Sequence, residues 1–195
     1  MRIERLLAKF NIKGINYEPN QGGRGLLSVE EQLAIVGFCW KDAPVGWLVL
    51  FVEGLSDVHA LKLLQTATLA EINREMEHWR GTYPEKALDA LCLTAIAEAT
   101  QQHGQLCPEC RGTGRTTNKY RVTRQCPACK DGRVPWTNET RFAKFAQVLP
   151  VPYSRFKRYK PVLENVVKWL ISNRTTAMLA IQERMEREVR EAEVA

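Results

Sequence analysis

Four cysteines form two C-x2-C pairs, Cys107 with Cys110 and Cys126 with Cys129, separated by fifteen residues. No other feature of the sequence constrains the fold as tightly. A C-x2-C pair places two thiolates on one side of a tight turn. Two such knuckles facing each other make a closed tetrahedral sulfur site of the kind that suits Zn2+. Gly112 and Gly114 follow the first pair and Gly132 the second, where glycine lets backbone amides close in on the sulfurs at angles that residues with a Cβ rarely adopt. Four protein ligands leave no position for water, so one zinc ion in a structural role is expected. The other reading of the same residues is a pair of disulfides or a redox C-x-x-C motif.

The chain has 195 residues, enough for one ordinary domain, or one domain with an appendage, and a real core. No apolar run approaches the roughly 18 residues that cross a membrane; the longest, Gly46–Val52, reads as core, and no membrane partner is expected. The first ten residues carry Glu4 and no small-residue cleavage site, so they do not read as a secretory signal. A reducing cytoplasm is therefore expected, which favours metal over disulfide. Cys39 and Cys92 fall in apolar helical patterns and read as inert core thiols.

Charge is unevenly spread. From Cys107 to Lys168 there are 14 Lys and Arg against 4 Asp and Glu, a net +10, while the rest has 14 against 18, or −4. Four thiolates with one Zn2+ lower the central block to about +8. A basic middle on a mildly acidic chain is the footprint of a nucleic-acid face; the alternative is a solvated surface.

Apolar periodicity gives helices almost throughout. Ile3, Leu6, Leu7 and Phe10 mark a short N-terminal helix, and the glycine-rich residues 11–25 read as a flexible linker. Residues 26–195 then form a helical domain with a zinc-finger insertion at about 105–135. Ser28 with Glu31 opens a helix through about Trp40, interrupted by Pro44 and Gly46. Trp47–Val52 leans helical. Ser56 or Asp57 caps a helix carrying Val58, Leu61 and Leu64. Thr68 with Glu71 reads as a second capping box, leading a helix that stops at Gly81. Pro84 starts a long helix with Leu88, Leu91, Cys92, Ala95, Ile96 and Ala99 inside. Beyond the cysteines, Phe142, Phe145, Ala146 and Leu149 mark another helix, so the metal loop staples two helices together. Leu163, Val166, Val167 and Leu170 form a further stripe, with a last helix separated from it at Asn173 and Thr175. The expected fold class is all-α: a helical DNA-binding domain with a zinc-binding loop inserted between two helices and a helix-turn-helix-like segment.

That segment is the helix, the turn at Leu149–Pro152 and the basic, aromatic run Tyr153–Lys160. In a helix-turn-helix the second helix lies in the major groove with its first turns at the base edges. Arg155 and Arg158 suit guanine edges, and Ser154, Lys157 and Lys160 suit phosphates. Arg111, Arg115, Arg121 and Arg124, near the cysteines, add to the DNA surface. Pro161 leaves two arrangements open: a helix kinked there, or an extended arm over 153–160 with the helix beginning at Pro161. His59, His78 and His103 lie far apart and no catalytic motif is present, so no enzyme is indicated.

The knuckle Cys107–Arg115, the second knuckle Cys126–Lys130, and Tyr153-Ser154-Arg155 followed by Lys160-Pro161 resemble the late-gene antitermination proteins Q of lambda-type bacteriophages. The resemblance covers about residues 70–172. It implies a zinc-containing, helical DNA-binding protein of the bacterial host cytoplasm that recognises an element within a late promoter. Such a protein loads onto paused host RNA polymerase holoenzyme with its sigma factor and lets it read through terminators. The knuckle C-x-x-C-x-G-x-G also resembles the cysteine-rich module of DnaJ-type chaperones. This chain has two knuckles, the second degenerate as Cys129-Lys130-Asp131-Gly132, and no His-Pro-Asp triplet. A zinc-stabilised chaperone or adaptor module is the alternative expectation.

Overall fold

The computed structural model describes residue 37 and residues 40–194. The expected N-terminal helix, the 11–25 linker, the capping box at Ser28 and the thiol of Cys39 lie outside the described residues. Within them the protein is mostly helical, with α1 Pro44–Leu55, α2 Val58–Met76, α3 Lys86–Thr100, α4 Asn138–Ala146 and α5 Tyr153–Val194. Four short strands, β1 Gln105–Leu106, β2 Arg115–Thr117, β3 Thr123–Gln125 and β4 Arg133–Val134, all fall inside the insertion between α3 and α4. No helix among the described residues is long and apolar enough to cross a membrane. The chain divides into two compact units, residues 68–167 and the remainder on either side, with the boundary falling within α2 and α5.

In the flanking unit, Pro44 starts α1, a position where its missing N–H costs nothing. The helix is apolar except for Glu53, and Gly46 to Leu50 are buried. Gly46 does not interrupt it. A Cβ there would lie 2.1 Å from the Asn173 carbonyl oxygen, so glycine is what allows α1 and α5 to approach. Trp47, Leu50, Ala177 and Ile181 form the core of this unit, and Trp40 and Phe51 pack against it. Arg174 closes its edge, donating to Glu53 at 2.6 and 3.0 Å. Asp57 caps α2, its Oδ1 accepting from the amides of His59 at 2.7 Å and Ala60 at 3.1 Å.

In the central unit, α2 runs on through Thr68 without the expected break, because no glycine or proline interrupts Val58–Met76. Thr68 is buried within it. The helix ends at Met76, short of Gly81, and the ring of Trp79 stacks on Tyr159 with centroids 4.8 Å apart. The small residues Ala87, Ala90, Ala95 and Ala99 of α3 are buried beside Leu91 and Ile96. Thr137 caps α4 through a reciprocal pair of hydrogen bonds with Thr140. Phe142 and Phe145 of α4 meet Phe156 of α5 at 5.5 and 5.2 Å, and Phe145 also meets Tyr159 at 5.4 Å. This aromatic cluster fixes the start of α5.

Helix α5 is one continuous helix. Of the two arrangements open at Pro161, the extended arm is not the one that forms: Tyr153–Lys160 is helical and Pro161 lies inside the same helix. A proline there forgoes one backbone hydrogen bond, and burial of Phe156, Tyr159, Val162, Leu163 and Val166 offsets that loss. The expected separation at Asn173 and Thr175 is likewise absent. Their side chains bond back to the carbonyls of Trp169 and Ile171 at 2.9 Å each, which satisfies them inside a helix.

Candidate metal centre and the basic surfaces around it

The insertion is built from two antiparallel ribbons. Strand β1 pairs with β4, Gln105 opposite Val134, and forms the base. Strand β2 pairs with β3, Arg115 opposite Gln125 and Thr117 opposite Thr123, and forms a projecting hairpin. Side chains tie the base to the end of α3 and the turn after it: Trp136 Nε1 donates to the Gln101 carbonyl at 2.9 Å and Arg133 Nη1 to the Gly104 carbonyl at 2.8 Å.

The two knuckles meet between the ribbons. The amide of Cys107 donates to the carbonyl of Gly132, and the amide of Cys126 to that of Gly114, each at 2.9 Å. Each first cysteine is thus held by a glycine of the other half. Arg111 and Gly112 (φ 52° and 86°) follow the first pair in left-handed geometry, and Asp131 and Gly132 (φ 50° and 83°) follow the second. The degenerate second knuckle makes the same turn one residue later. A Cβ on Gly132 would lie 2.1 Å from the Gly112 carbonyl oxygen, so the backbones touch where no side chain fits.

The four sulfurs lie within 4.8 Å of one another, Cys107 to Cys126 at 3.9 Å and Cys110 to Cys129 at 3.6 Å. Metal–sulfur bonds of about 2.3 Å in a tetrahedron put sulfurs about 3.8 Å apart, whereas a disulfide needs about 2.05 Å. All four are free thiols. The cluster can hold a single metal ion, and its donor set is all thiolate. Burial works against ionisation of Cys110, but the amides of Gly114 and Gly112 and the neighbouring thiols outweigh it and bring it down to about 6. Burial, with the Cys110 and Cys126 thiols alongside, pushes Cys129 up to about 12. Four thiolates packed this closely would repel one another, and a bound metal ion would offset their charge.

The candidate DNA-binding residues fall on two surfaces. Arg111, Arg115, Arg121 and Arg124 are all exposed on the insertion. Arg115 and Arg124 are not in one cross-strand pair: Arg124 stands opposite Thr116. Alternation along a strand therefore sends them to opposite faces of the hairpin. Ser154, Arg155, Lys157 and Arg158 are exposed on the first turns of α5, while Phe156 and Tyr159 are buried behind them. Arg158 is already engaged, its Nη2 donating to the Arg80 carbonyl at 3.0 Å and its guanidinium 5.3 Å from the Trp79 ring centroid. Lys160 pairs with Glu164 at 3.5 Å, and Lys157 sits 5.4 Å from the Tyr153 ring centroid. Arg155 and Ser154 make no side-chain contact of these kinds among the described residues.

Two features escape the sequence reading. One is the pair Glu98 and Arg141, which closes the insertion from outside. The other is the exposed hairpin tip around Tyr120, for which the only signal is an aromatic residue inside the basic run between the knuckles.

Fold and site together define a mostly helical protein with a four-cysteine centre able to hold a metal. The chain belongs to the family described as conserved hypothetical protein CHP02642, whose model matches residues 84–190, spanning α3, the insertion, α4 and most of α5. No curated protein matches it.

Proposed function

We propose that the protein is a DNA-binding transcription factor whose insertion is held by one structural Zn2+ on Cys107, Cys110, Cys126 and Cys129. The observation that carries the reading is the start of α5. Phe156 and Tyr159 lock it against α4 while Ser154, Arg155 and Lys157 project into solvent. A buried aromatic face behind an exposed basic one is what a recognition helix needs: a rigid mount, and donors free for base edges and phosphates. In this reading α4, the turn at 147–152 and α5 act as the helix-turn-helix-like pair, and the exposed arginines of the insertion add phosphate contacts. Zinc fits the all-thiolate, closed donor set, and it supplies cross-linking with no open coordination position.

The resemblance to lambda-type Q proteins extends the reading to antitermination, with the protein loading from a late-promoter element onto paused host RNA polymerase. The surface for polymerase must be separate from the basic one. Trp47 to Leu50 are buried and do not provide it; the charged final stretch of α5, residues 175–190, is the surface assigned to it in this reading. The test is transcription by bacterial polymerase holoenzyme on a template carrying the binding element upstream of an intrinsic terminator. Read-through is expected with the protein and its element, and none with the element scrambled. Tight binding to the element with unchanged termination would leave a promoter-bound regulator; binding to unfolded polypeptides with no preference among DNA sequences would favour the chaperone or adaptor alternative.

A further inference from the structure

The hairpin tip, residues 118–122, is built as a fixed platform. Asn118 Oδ1 accepts from the amides of Tyr120 at 2.9 Å and Val122 at 3.0 Å. The Asn118 amide donates to the Val122 carbonyl at 3.1 Å, and the Arg121 amide to the Asn118 carbonyl at 3.0 Å. Arg121 takes a left-handed φ of 61° to close the turn. Below it, the hydroxyls of Thr117 and Thr123 lie 3.2 Å apart across the ribbon. On this platform Tyr120 is 73% exposed and Val122 46%. The surroundings are cationic: residues 111–130 contain six Lys and Arg and no Asp or Glu. Lys119 lies 5.0 Å from the Tyr120 ring centroid.

A large ring held out in water on an ordered turn, flanked only by cations, matches one ligand chemistry well. Every nucleobase offers a flat π-face, and the phosphates on either side of it are anionic. Stacking of aromatic side chains on bases within a basic groove is how sequence-tolerant single-strand binding works. An acidic protein surface would satisfy the cations but not the ring. A base inside an intact duplex has both faces covered by its neighbours, so the ligand is an unpaired base.

We infer that the metal-held hairpin is a single-strand contact in which Tyr120 stacks on an unpaired base, with Lys119, Arg121 and Arg124 on the adjoining phosphates. The inference rests on the nucleic-acid reading above but assigns a different ligand state from that proposed for α5. The duplex is held by α5 with phosphate contacts from arginines of the insertion, and Tyr120 at the hairpin tip takes up a base where the strands are apart.

The test uses the full-length, metal-loaded protein with three labelled probes: oligothymidylate, oligouridylate and a mixed-sequence duplex. Tyr120→Ala should weaken oligothymidylate binding about fivefold or more and leave duplex binding within about twofold. Tyr120→Phe should bind like wild type, because stacking uses the ring and not the hydroxyl. Tyr120→Leu, apolar but without a π-face, should lose as much as alanine, and metal content measured alongside confirms that the insertion is intact. A 2-aminopurine placed within the oligothymidylate should be quenched by wild type and Tyr120→Phe but not by the other two. Loss on oligouridylate as well shows that the site ignores the sugar; loss on that probe alone assigns the site to RNA. The inference is overturned if wild type binds neither single strand, or if Tyr120→Ala or Tyr120→Leu binds and quenches as wild type does. Failure of the duplex reading shows separately, as no wild-type binding to the duplex.

Discussion

Arg141 and Glu98, 43 residues apart, grip each other through two parallel hydrogen bonds, Nε to Oε2 at 2.7 Å and Nη2 to Oε1. They join α3 to α4 across the mouth of the insertion. Glu164 of α5 stands 3.6 Å from Arg141 Nη1 and takes Lys160 at 3.5 Å, so one chain of charges links three helices. The Glu98 side chain is 8% exposed and that of Arg141 20%. Removing one partner from such a pair strands the other with little water. Glu98→Ala is expected to cost about 2–4 kcal/mol in urea unfolding, toward the low end of the usual range because Arg141 is partly solvated. Replacing both residues with apolar ones of similar size should cost less than either single change.

The metal should matter to the insertion more than to the helices. Ribbons of two or three residues per strand do not stand alone, whereas α3, α4 and α5 share an aromatic and aliphatic core. One metal ion per chain is expected by elemental analysis. Chelation should speed hydrogen exchange across β2 and β3 while leaving helical circular dichroism nearly unchanged. Cys107→Ser with Cys126→Ser should bind no metal. Gly132→Ala should also bind poorly, because its Cβ would meet the Gly112 carbonyl.

Gly46 gives a test in the other unit. Alanine is a better helix former than glycine, by about 1 kcal/mol, so propensity alone predicts stabilisation. The close approach to Asn173 and Ala177, with a Cβ at 2.1 and 2.8 Å from their atoms, predicts the reverse. Gly46→Ala is expected to lose about 1–3 kcal/mol net, read as a lowered denaturation midpoint with an unchanged slope.

Burial, with a smaller contribution from Asp89, pushes the Cys92 thiol up to about 12 from an ordinary 9. The unfolded chain therefore releases this proton near pH 9 while the folded chain keeps it. Stability from this group is fully present below pH 9 and falls as pH rises toward 12, by about 1.4 kcal/mol per pH unit. Cys92→Ala should show a shallower alkaline loss than wild type across that window. Cys92 should also resist alkylation in the folded protein.

The metal centre was legible because ligand spacing is a local property: two C-x2-C pairs and their glycines specify the turn without reference to the rest of the chain. The helical stretch at Trp47–Val52 and the cap at Asp57 were legible for the same reason. What was not legible depended on distant partners. Thr68 with Glu71 has the residue types of a capping box, but a cap forms only where the chain leaves the helix, and nothing around Thr68 breaks it. Asn173 and Thr175 are weak helix formers, yet each finds a carbonyl one turn back. Pro161 is tolerated because the turns around it bury a continuous apolar face. Glu98 and Arg141 carry no sequence signal of their pairing, since only the folded base of the insertion brings them together.

If α5 holds DNA as proposed, base reading and phosphate contact on it are separable by mutation. Arg155 is exposed and its guanidinium makes no hydrogen bond or ion pair among the described residues, so its donors are available to a guanine edge. Lys157 is exposed beside the Tyr153 ring, Lys160 is already paired with Glu164, and Arg158 is spent on Trp79 and Arg80. Binding to a site selected from random duplexes, and to an unrelated duplex, is measured by anisotropy over a range of salt. Lys157→Ala should weaken both by the same factor and reduce the salt slope by about one. Lys160→Ala should do less, because Glu164 already offsets its charge. Arg158→Ala should lower the melting temperature as well as the affinity, since it removes an anchor of the helix. Arg155→Ala should cost about 1–3 kcal/mol on the selected site and little on the other. Equal losses on both duplexes would place Arg155 on phosphate and leave sequence selection to another residue.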